Sequence, residues 1–497
     1  VPDRSTIQTP TESTPPKLST RRVWLFRLAC IALAVLPLVA AELYLRATQS
    51  VDAANLTRDP VFDTSGQSSL FVKSDDSSRW MIPESRLNFF RPASFAAVKA
   101  ANVRRIFVLG GSTVQGRPYE TETAFAKWMQ LRLQAQDPSH VYEVVNCGGV
   151  SYASYRVAII LDEILAHSPD AIVLYTGHNE FLEERSYNTI AWQHNPLQRL
   201  AQSSYLVRSL RRRLRPQTVP SQELSPALQT RLDNAGGMER YVRDDQWRRG
   251  VAEHFRVTLQ RMIGMCAAAE VPLLLCVPTS DVVKTPPFKV LAAELDDASL
   301  AEFQHHRSIA QDPSIAYEQR IAACDACLKI DPEHAGAHYL AGRLHWENGR
   351  SRPARAHLYA ARDHDVCPLR ATTPIINIVL QLAQRHRLEP IRCDQLFDQT
   401  DSQLRPLPDG IEDPQRFADH IHPTIAGHQE IAHAVSDSVM ALFQIHASGS
   451  GEEAYRRRAA EHLDSLDETY YARGKQRLEG LKNWAAGRAG KLSLEPE

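Results

Sequence analysis

Arg104-Arg105-Ile106-Phe107-Val108-Leu109-Gly110-Gly111-Ser112-Thr113 is the stretch on which the fold is decided. Its β-branched and aromatic run closes on two glycines, and Phe125 to Gln134 follows with helical spacing, which predicts a strand, a tight turn and a helix. The alternation then repeats. Tyr142 to Val145, Ala171 to Tyr175 and Val271 to Val277 read as strands, separated by helices over Tyr155 to His167 and Trp247 to Ala269. Short apolar strands alternating with amphipathic helices predict an α/β domain of three layers, its parallel sheet covered on both faces. Ligands bind such sheets at the carboxyl ends of the strands, where Ser112 falls.

Outward from this core, the chain has 497 residues, 43% of them hydrophobic and 23% charged, enough for two or more folded domains. Lys and Arg number 57 against 58 Asp and Glu, a net charge of −1 that gives no pull toward nucleic acid, so none is expected as a partner. Residues 1–22 read as a disordered cytoplasmic tail rich in Pro, Ser and Thr, followed by an apolar run over 23–45 broken only by Arg27 and Glu42. At 1.5 Å per residue that run reaches about 30 Å, the thickness of a bilayer core. Arg21 and Arg22 precede it, so the reading is a single-pass anchor with a cytoplasmic N-terminus and everything after Arg46 across the membrane. Two readings compete with the anchor: a signal peptide cleaved near Val39-Ala40-Ala41, and a twin-arginine signal at Thr20 to Leu25.

Residues 46–100 read as a linker that ends by packing on the main domain. The main domain occupies 101–290 and 369–445, with 446–497 as peripheral C-terminal helices of no catalytic role. Between the two parts, 291–368 is helical. Within it Ala335 to Pro368 resembles one tetratricopeptide repeat, with Gly342, Gly349, Ala354, Leu358 and Ala361 at its small or apolar positions. That insertion is either a lid for a substrate or protein partner, or a packed decoration. Cys324 and Cys327 have C-x-x-C spacing inside it but no second pair, so they read as helix packing. The arginines of Ser203 to Arg215 fit a solvated helix face or a contact with anionic lipid or glycan.

Three pieces could carry chemistry. A serine is a weak nucleophile until a base takes its proton, and Gly110-Gly111 would leave the Ser112 hydroxyl uncovered at the sheet edge. Asp419-His420-Ile421-His422-Pro423 supplies the base: a spacing of three puts Asp419 and His422 on one side of a helical turn, with His420 pointing elsewhere. Tyr175-Thr176-Gly177-His178-Asn179-Glu180 ends a strand, and the Asn179 amide could donate to an oxyanion.

Taken together these pieces resemble the SGNH (GDSL-like) hydrolases, whose four blocks supply serine, glycine, asparagine and histidine in that chain order. Ser112 matches the first block, Gly177-His178-Asn179-Glu180 the third, and Asp419 with His422 the fourth. The second block departs from the pattern: Asn146-Cys147-Gly148-Gly149-Val150-Ser151-Tyr152 has Ser151 where the family has its oxyanion glycine. The Asn179-Glu180 pair, Pro286-Pro287-Phe288-Lys289, Phe90-Arg91-Pro92 and the repeat insertion further resemble a bacterial membrane-anchored subgroup carrying tetratricopeptide repeats, which implies a bacterial inner membrane with the catalytic part periplasmic.

The resemblance implies a flavodoxin-like α/β/α fold and a triad of Ser112, Asp419 and His422. It also implies an oxyanion hole from Ser112, Ser151 and Asn179, with Gly148, Gly149, His178 and Glu180 as possible substrate contacts. It calls for no cofactor and no metal. The implied activity is that of a serine-dependent ester hydrolase acting through an acyl-enzyme on an envelope-facing carbohydrate or lipid ester. An O-acyltransferase for envelope glycans with the same triad, and a non-catalytic tetratricopeptide scaffold, are the alternatives.

Overall fold

The computed structural model describes residues 20–48, 58–187, 222–233, 237–398 and 410–489; most of the expected tail and the arginine-rich stretch 203–215 lie outside them. The chain divides into two units, residues 1–52 with 193–219 and residues 53–192 with 220–497. In the first, helix α1 (Thr20–Thr48) contains Trp24–Tyr44, 21 residues long and apolar enough to cross a membrane. Leu28, Leu33, Leu36 and Leu38 on it are exposed.

The second unit is built on strands β1 (Val103–Gly110), β2 (Val141–Gly148), β3 (Ala171–Tyr175) and β4 (Leu273–Cys276), all parallel, in the order β2-β1-β3-β4. Alternate side chains of β1 enter different cores. Phe107 and Leu109 pack with helices α4 (Ser154–Ile164), α5 (Asp245–Ala268) and α10 (Thr373–His386). Ile106 and Val108 pack on the opposite face with α3 (Phe125–Gln136) and α11 (Ile425–Leu442). Burial on both faces explains why these strands are continuous apolar runs. The strand order changes direction between β1 and β3, and the crevice above that point is where such sheets bind ligands.

The stretch read as a linker over 46–100 is, from residue 58 onward, part of this unit. It contains a small antiparallel sheet (Val72–Lys73, Arg79–Met81, Ser94–Ala96) and buries Val61, Phe62, Leu70, Phe71, Phe90 and Phe95. Asp59, also buried, accepts from His254 Nε2 at 3.1 Å and Arg261 Nη1 at 3.0 Å, both on α5. The helical segment consists of α6 (Asp297–Gln311), α7 (Tyr317–Ile330), α8 (Ala335–Glu347) and α9 (Ser351–Asp363), each packed on the next. Gly342 lets α8 and α9 approach closely, since a Cβ there would lie 2.7 Å from Leu358 Cγ. Cys324 and Cys327 are buried free thiols on α7.

The C-terminal helices are less peripheral than their charged sequence predicts. Helix α12 (Gly449–Asp464) buries Tyr455 and Ala459 against α3, and Arg132 of α3 pairs with Asp437 at 2.6 Å and Glu452 at 3.3 Å. Helix α13 (Glu468–Ala489) brings the Tyr470 hydroxyl to Thr123 Oγ1 at 2.8 Å, close to the serine turn. The apolar residues of α12 lie on one stripe among many charges, and a low mean hydropathy conceals such a stripe.

Candidate active site

Ser112 opens the four-residue helix α2 (Ser112–Gln115) directly after β1. Gly110 lies against β3 so closely that a Cβ would stand 2.0 Å from the Tyr175 carbonyl oxygen. Asn146 on β2 ties the turn down, donating from Nδ2 to the Val114 carbonyl at 2.7 Å while its Oδ1 accepts from the Gly148 amide at 2.9 Å. Gly148 must be glycine here, because a Cβ would meet the Gln115 backbone nitrogen at 2.2 Å. The serine is thereby fixed by the carboxyl ends of three adjacent strands.

The acid and base arrive from 310 residues away. His422 Nε2 stands 2.7 Å from Ser112 Oγ, and His422 Nδ1 stands 2.7 Å from Asp419 Oδ2. Asp419 Oδ1 accepts from the amides of Ile421 at 3.0 Å and His422 at 2.9 Å. The segment is a bend rather than the helical turn predicted from the spacing; the Asp419 side chain itself closes it, as Asp does in an Asx turn. Burial works to raise the Asp419 pKa, but His422, His420 and the hydrogen bonds outweigh it and hold the carboxylate ionised well below its ordinary range. An ionised Asp on Nδ1 fixes the tautomer that leaves Nε2 free to accept the serine proton.

The other histidines nearby stay neutral. Burial, with His420 and His422 adding to it, pushes His178 down to about 3. Burial also takes His420 to about 4 and His428 to about 3. His178 Nδ1 accepts from the Ala371 amide at 3.2 Å, so its proton is on Nε2, 3.5 Å from the Tyr175 hydroxyl.

A pocket of about 10 Å³, room for one water, opens at Ser112. Gly111, Tyr152, Tyr175, Gly177, His178 and Asn179 are among its walls. Asn179 Nδ2 donates to the Tyr152 carbonyl at 3.0 Å, and a Cβ on Gly111 would lie 2.6 Å from that nitrogen, which puts the amide beside the serine turn with its second hydrogen unspent. The Ser112 amide, in the first turn of α2, has no intrahelical acceptor.

Other expected residues are placed differently. Ser151 has φ 61°, the left-handed conformation a glycine adopts freely, and does not line the pocket; Tyr152 does. Glu180, expected as a substrate contact, is fully buried with both oxygens on Ser154, accepting from its amide at 2.8 Å and its hydroxyl at 2.9 Å. Gly148 and Gly149 are likewise buried behind the turn, the Gly149 amide donating to the Gly110 carbonyl at 3.0 Å. These three support the site and do not face it. The sequence does not mark Tyr152 and Tyr175 as pocket walls, because a large aromatic in the loop after a strand or at its end reads as core.

No family model matches the chain, and no curated protein matches it. Among solved structures it is similar to an α/β hydrolase from the metagenome of Lake Arreo, Spain, with 14% identity over 71% of this chain and 99% of that one, TM-score 0.30. An acetylxylan esterase from Geobacillus stearothermophilus shows 13% identity over 69% of this chain and 96% of that one, TM-score 0.30. A protein assigned to the lipolytic G-D-S-L family, from Desulfitobacterium hafniense, shows 10% identity over 67% and 98%, TM-score 0.27.

Proposed function

We propose that this chain is a serine-dependent ester hydrolase, working through an acyl-enzyme on Ser112. The observation that carries the reading is the continuous line from Asp419 to His422 to Ser112, with two contacts of 2.7 Å at the edge of a pocket. His422 takes the hydroxyl proton as Oγ attacks the ester carbonyl. Asp419 offsets the charge that forms on the ring, and the Asn179 amide with the Ser112 backbone N–H receives the oxyanion. His422 then returns the proton to the leaving alcohol. A water, activated by the same ring, releases the acid. The oxyanion donor that Ser151 was expected to supply is not part of this scheme.

The apolar helix Trp24–Tyr44, with Arg21 before it and Arg27 near its start, supports an anchor whose catalytic unit faces away from the cytoplasm. The ester would then belong to the cell envelope. A fluorophosphonate probe tests the chemistry directly. Labelling of the wild type that is lost in Ser112→Ala is the expected result; a folded wild type that stays unlabelled would favour the scaffold reading instead.

A further inference from the structure

Two guanidinium groups share one carboxylate at the edge of the serine turn, and a third stands beside them. Arg477 of α13 pairs with Glu120 Oε1 and donates to the Tyr119 carbonyl at 3.3 Å. Arg91 brings its Nε to 3.8 Å from the same Glu120 oxygen, and that buried Nε has no hydrogen-bond partner. The third is Arg117, whose backbone amide donates to the Ser112 carbonyl at 3.2 Å. Its side chain meets Gln115 Oε1 at 3.5 Å, and no ion pair to it is found among the described residues. Gln115 uses its Nε2 on the Phe89 carbonyl at 2.8 Å, so one glutamine spans the segments that carry Arg117 and Arg91.

Among the described residues these three cations are set against two anions, Glu120 and the triad's Asp419, which leaves one positive charge in excess. Their mutual pressure is visible at Arg117: burial first, then Arg91 and Arg477, bring its pKa down to about 10, while the charge of Asp419 acts the other way. Guanidinium groups held together in this manner repel one another. A planar anion among them would remove the repulsion and take up the unused fork donors. None of the three lines the pocket beside Ser112, so the anion belongs to the part of the substrate that stays outside it. The pocket itself is small and its walls are mostly Gly, Ser, Thr, His, Asn and Tyr, so among the described residues it suits a short acyl group at most and forms no slot for an alkyl chain.

We infer that the substrate is a short-chain ester, of the acetyl type, on an acidic glycan, with a sugar carboxylate held by Arg117, Arg91 and Arg477 while the acylated oxygen lies at Ser112. This assignment rests on the ester-hydrolase reading. A glycerophospholipid also offers an anion, but its acyl chains require an apolar slot that the described residues around Ser112 do not form.

The test compares kcat/KM for an O-acetylated hexuronate and its uncharged methyl ester, using the full chain in detergent, for wild type, Arg117→Gln and Arg117→Lys. The wild type is expected to favour the carboxylate by about tenfold or more at low salt, with the preference shrinking as salt is added. Arg117→Gln should bring the ratio close to one, and Arg117→Lys should keep part of it. Arg477→Gln, on the outermost helix, offers a second variant if Arg117→Gln folds poorly, and should lower the ratio in the same direction. Equal kcat/KM for the two esters in a wild type that still labels with fluorophosphonate overturns the anion site alone. A preference untouched by both Gln variants overturns it equally. Faster turnover of acetyl-glycerol phosphate than of the hexuronate would replace the glycan by a phosphate headgroup, and a folded, unlabelled wild type strikes the hydrolase reading beneath.

Discussion

Ser112 is carried by the middle of the sheet, whereas the residue it meets, His422, is carried by a turn whose supports come from outside the sheet. On the serine side the tightest restraints come from strand ends: Gly110 against the Tyr175 carbonyl, Asn146 on Val114, and the Gly149 amide on the Gly110 carbonyl at 3.0 Å. On the histidine side the turn is closed by Asp419 and by the Ala418 amide on the His422 carbonyl at 2.8 Å. It is then held in place through the Asp281 amide, which donates to the His420 carbonyl at 3.0 Å. The loop bearing Asp281 is fixed in turn by Arg370, which donates to the Asp281 carbonyl at 2.7 Å and the Thr285 carbonyl at 2.9 Å. The Tyr339 hydroxyl of α8 donates to Val283 in the same loop at 2.8 Å. The nucleophile is therefore positioned by the buried centre of the sheet, and its base by a chain of contacts that runs into the helical insertion.

The two sides must act as one for the proposed chemistry, and the largest effect follows from breaking either. Ser112→Ala and His422→Ala are each expected to lower kcat on a small acetyl ester by about 10⁴-fold or more, and the double variant by no more than the worse single one. Losses that multiply in the double variant would mean that the serine and the histidine work independently, and the line between them would lose its meaning.

A second difference is electrostatic. The serine turn carries no histidine, while the turn opposite sits among His178, His420 and His428, each kept neutral by burial, with pKa values of about 3, 4 and 3. An unfolded histidine takes a proton near 6.5, which the folded chain refuses until these lower values. The unfolded state thus binds more protons, and stability falls as pH drops from 6.5 toward 4. At pH 5 each such histidine removes about 2 kcal/mol. Asp419 adds to the loss from the ordinary carboxylate range downward, since its folded pKa is depressed and the unfolded chain takes the proton first. Denaturant titrations at pH 7 and pH 5 should show the decline, with a shallower slope in His428→Gln. A midpoint that does not move between those pH values rules out the neutral cluster.

Much of this arrangement could be read from sequence where the signal was local. Ile106 to Leu109 and Ala171 to Tyr175 announce buried parallel strands because both of their faces are covered. Asp419 and His422 are three residues apart, so their pairing needs only a bend. What escaped notice depends on contacts across the chain. Glu180 beside Asn179 resembles a binding residue until Ser154 is seen to occupy both of its oxygens. Asp59 reads as a linker aspartate, yet it meets His254, 195 residues away. Arg477 looks like one charge among many on an exposed helix, and nothing near it in the sequence indicates Glu120, 357 residues earlier.

The smallest expected effect sharpens the opening contrast most, because it touches neither the triad nor the sheet. Tyr339→Phe removes one hydroxyl, leaving the ring in the apolar cluster it shares with Val282, Val283, Ala354 and Leu358. One lost hydrogen bond to the Val283 carbonyl costs about 1 kcal/mol of stability. If the insertion positions the base, the loop from Thr279 to Thr285 relaxes, the Asp281 contact with His420 loosens, and kcat falls by roughly threefold at unchanged KM, since the loss is of alignment and not of binding. Fluorophosphonate labelling should slow by the same factor, because it uses the same serine and base but not the same leaving group. Slower turnover with labelling at the wild-type rate would put the effect at product release and separate the insertion from the catalytic turn. A variant that loses stability but neither rate would make the helices a brace for the fold alone.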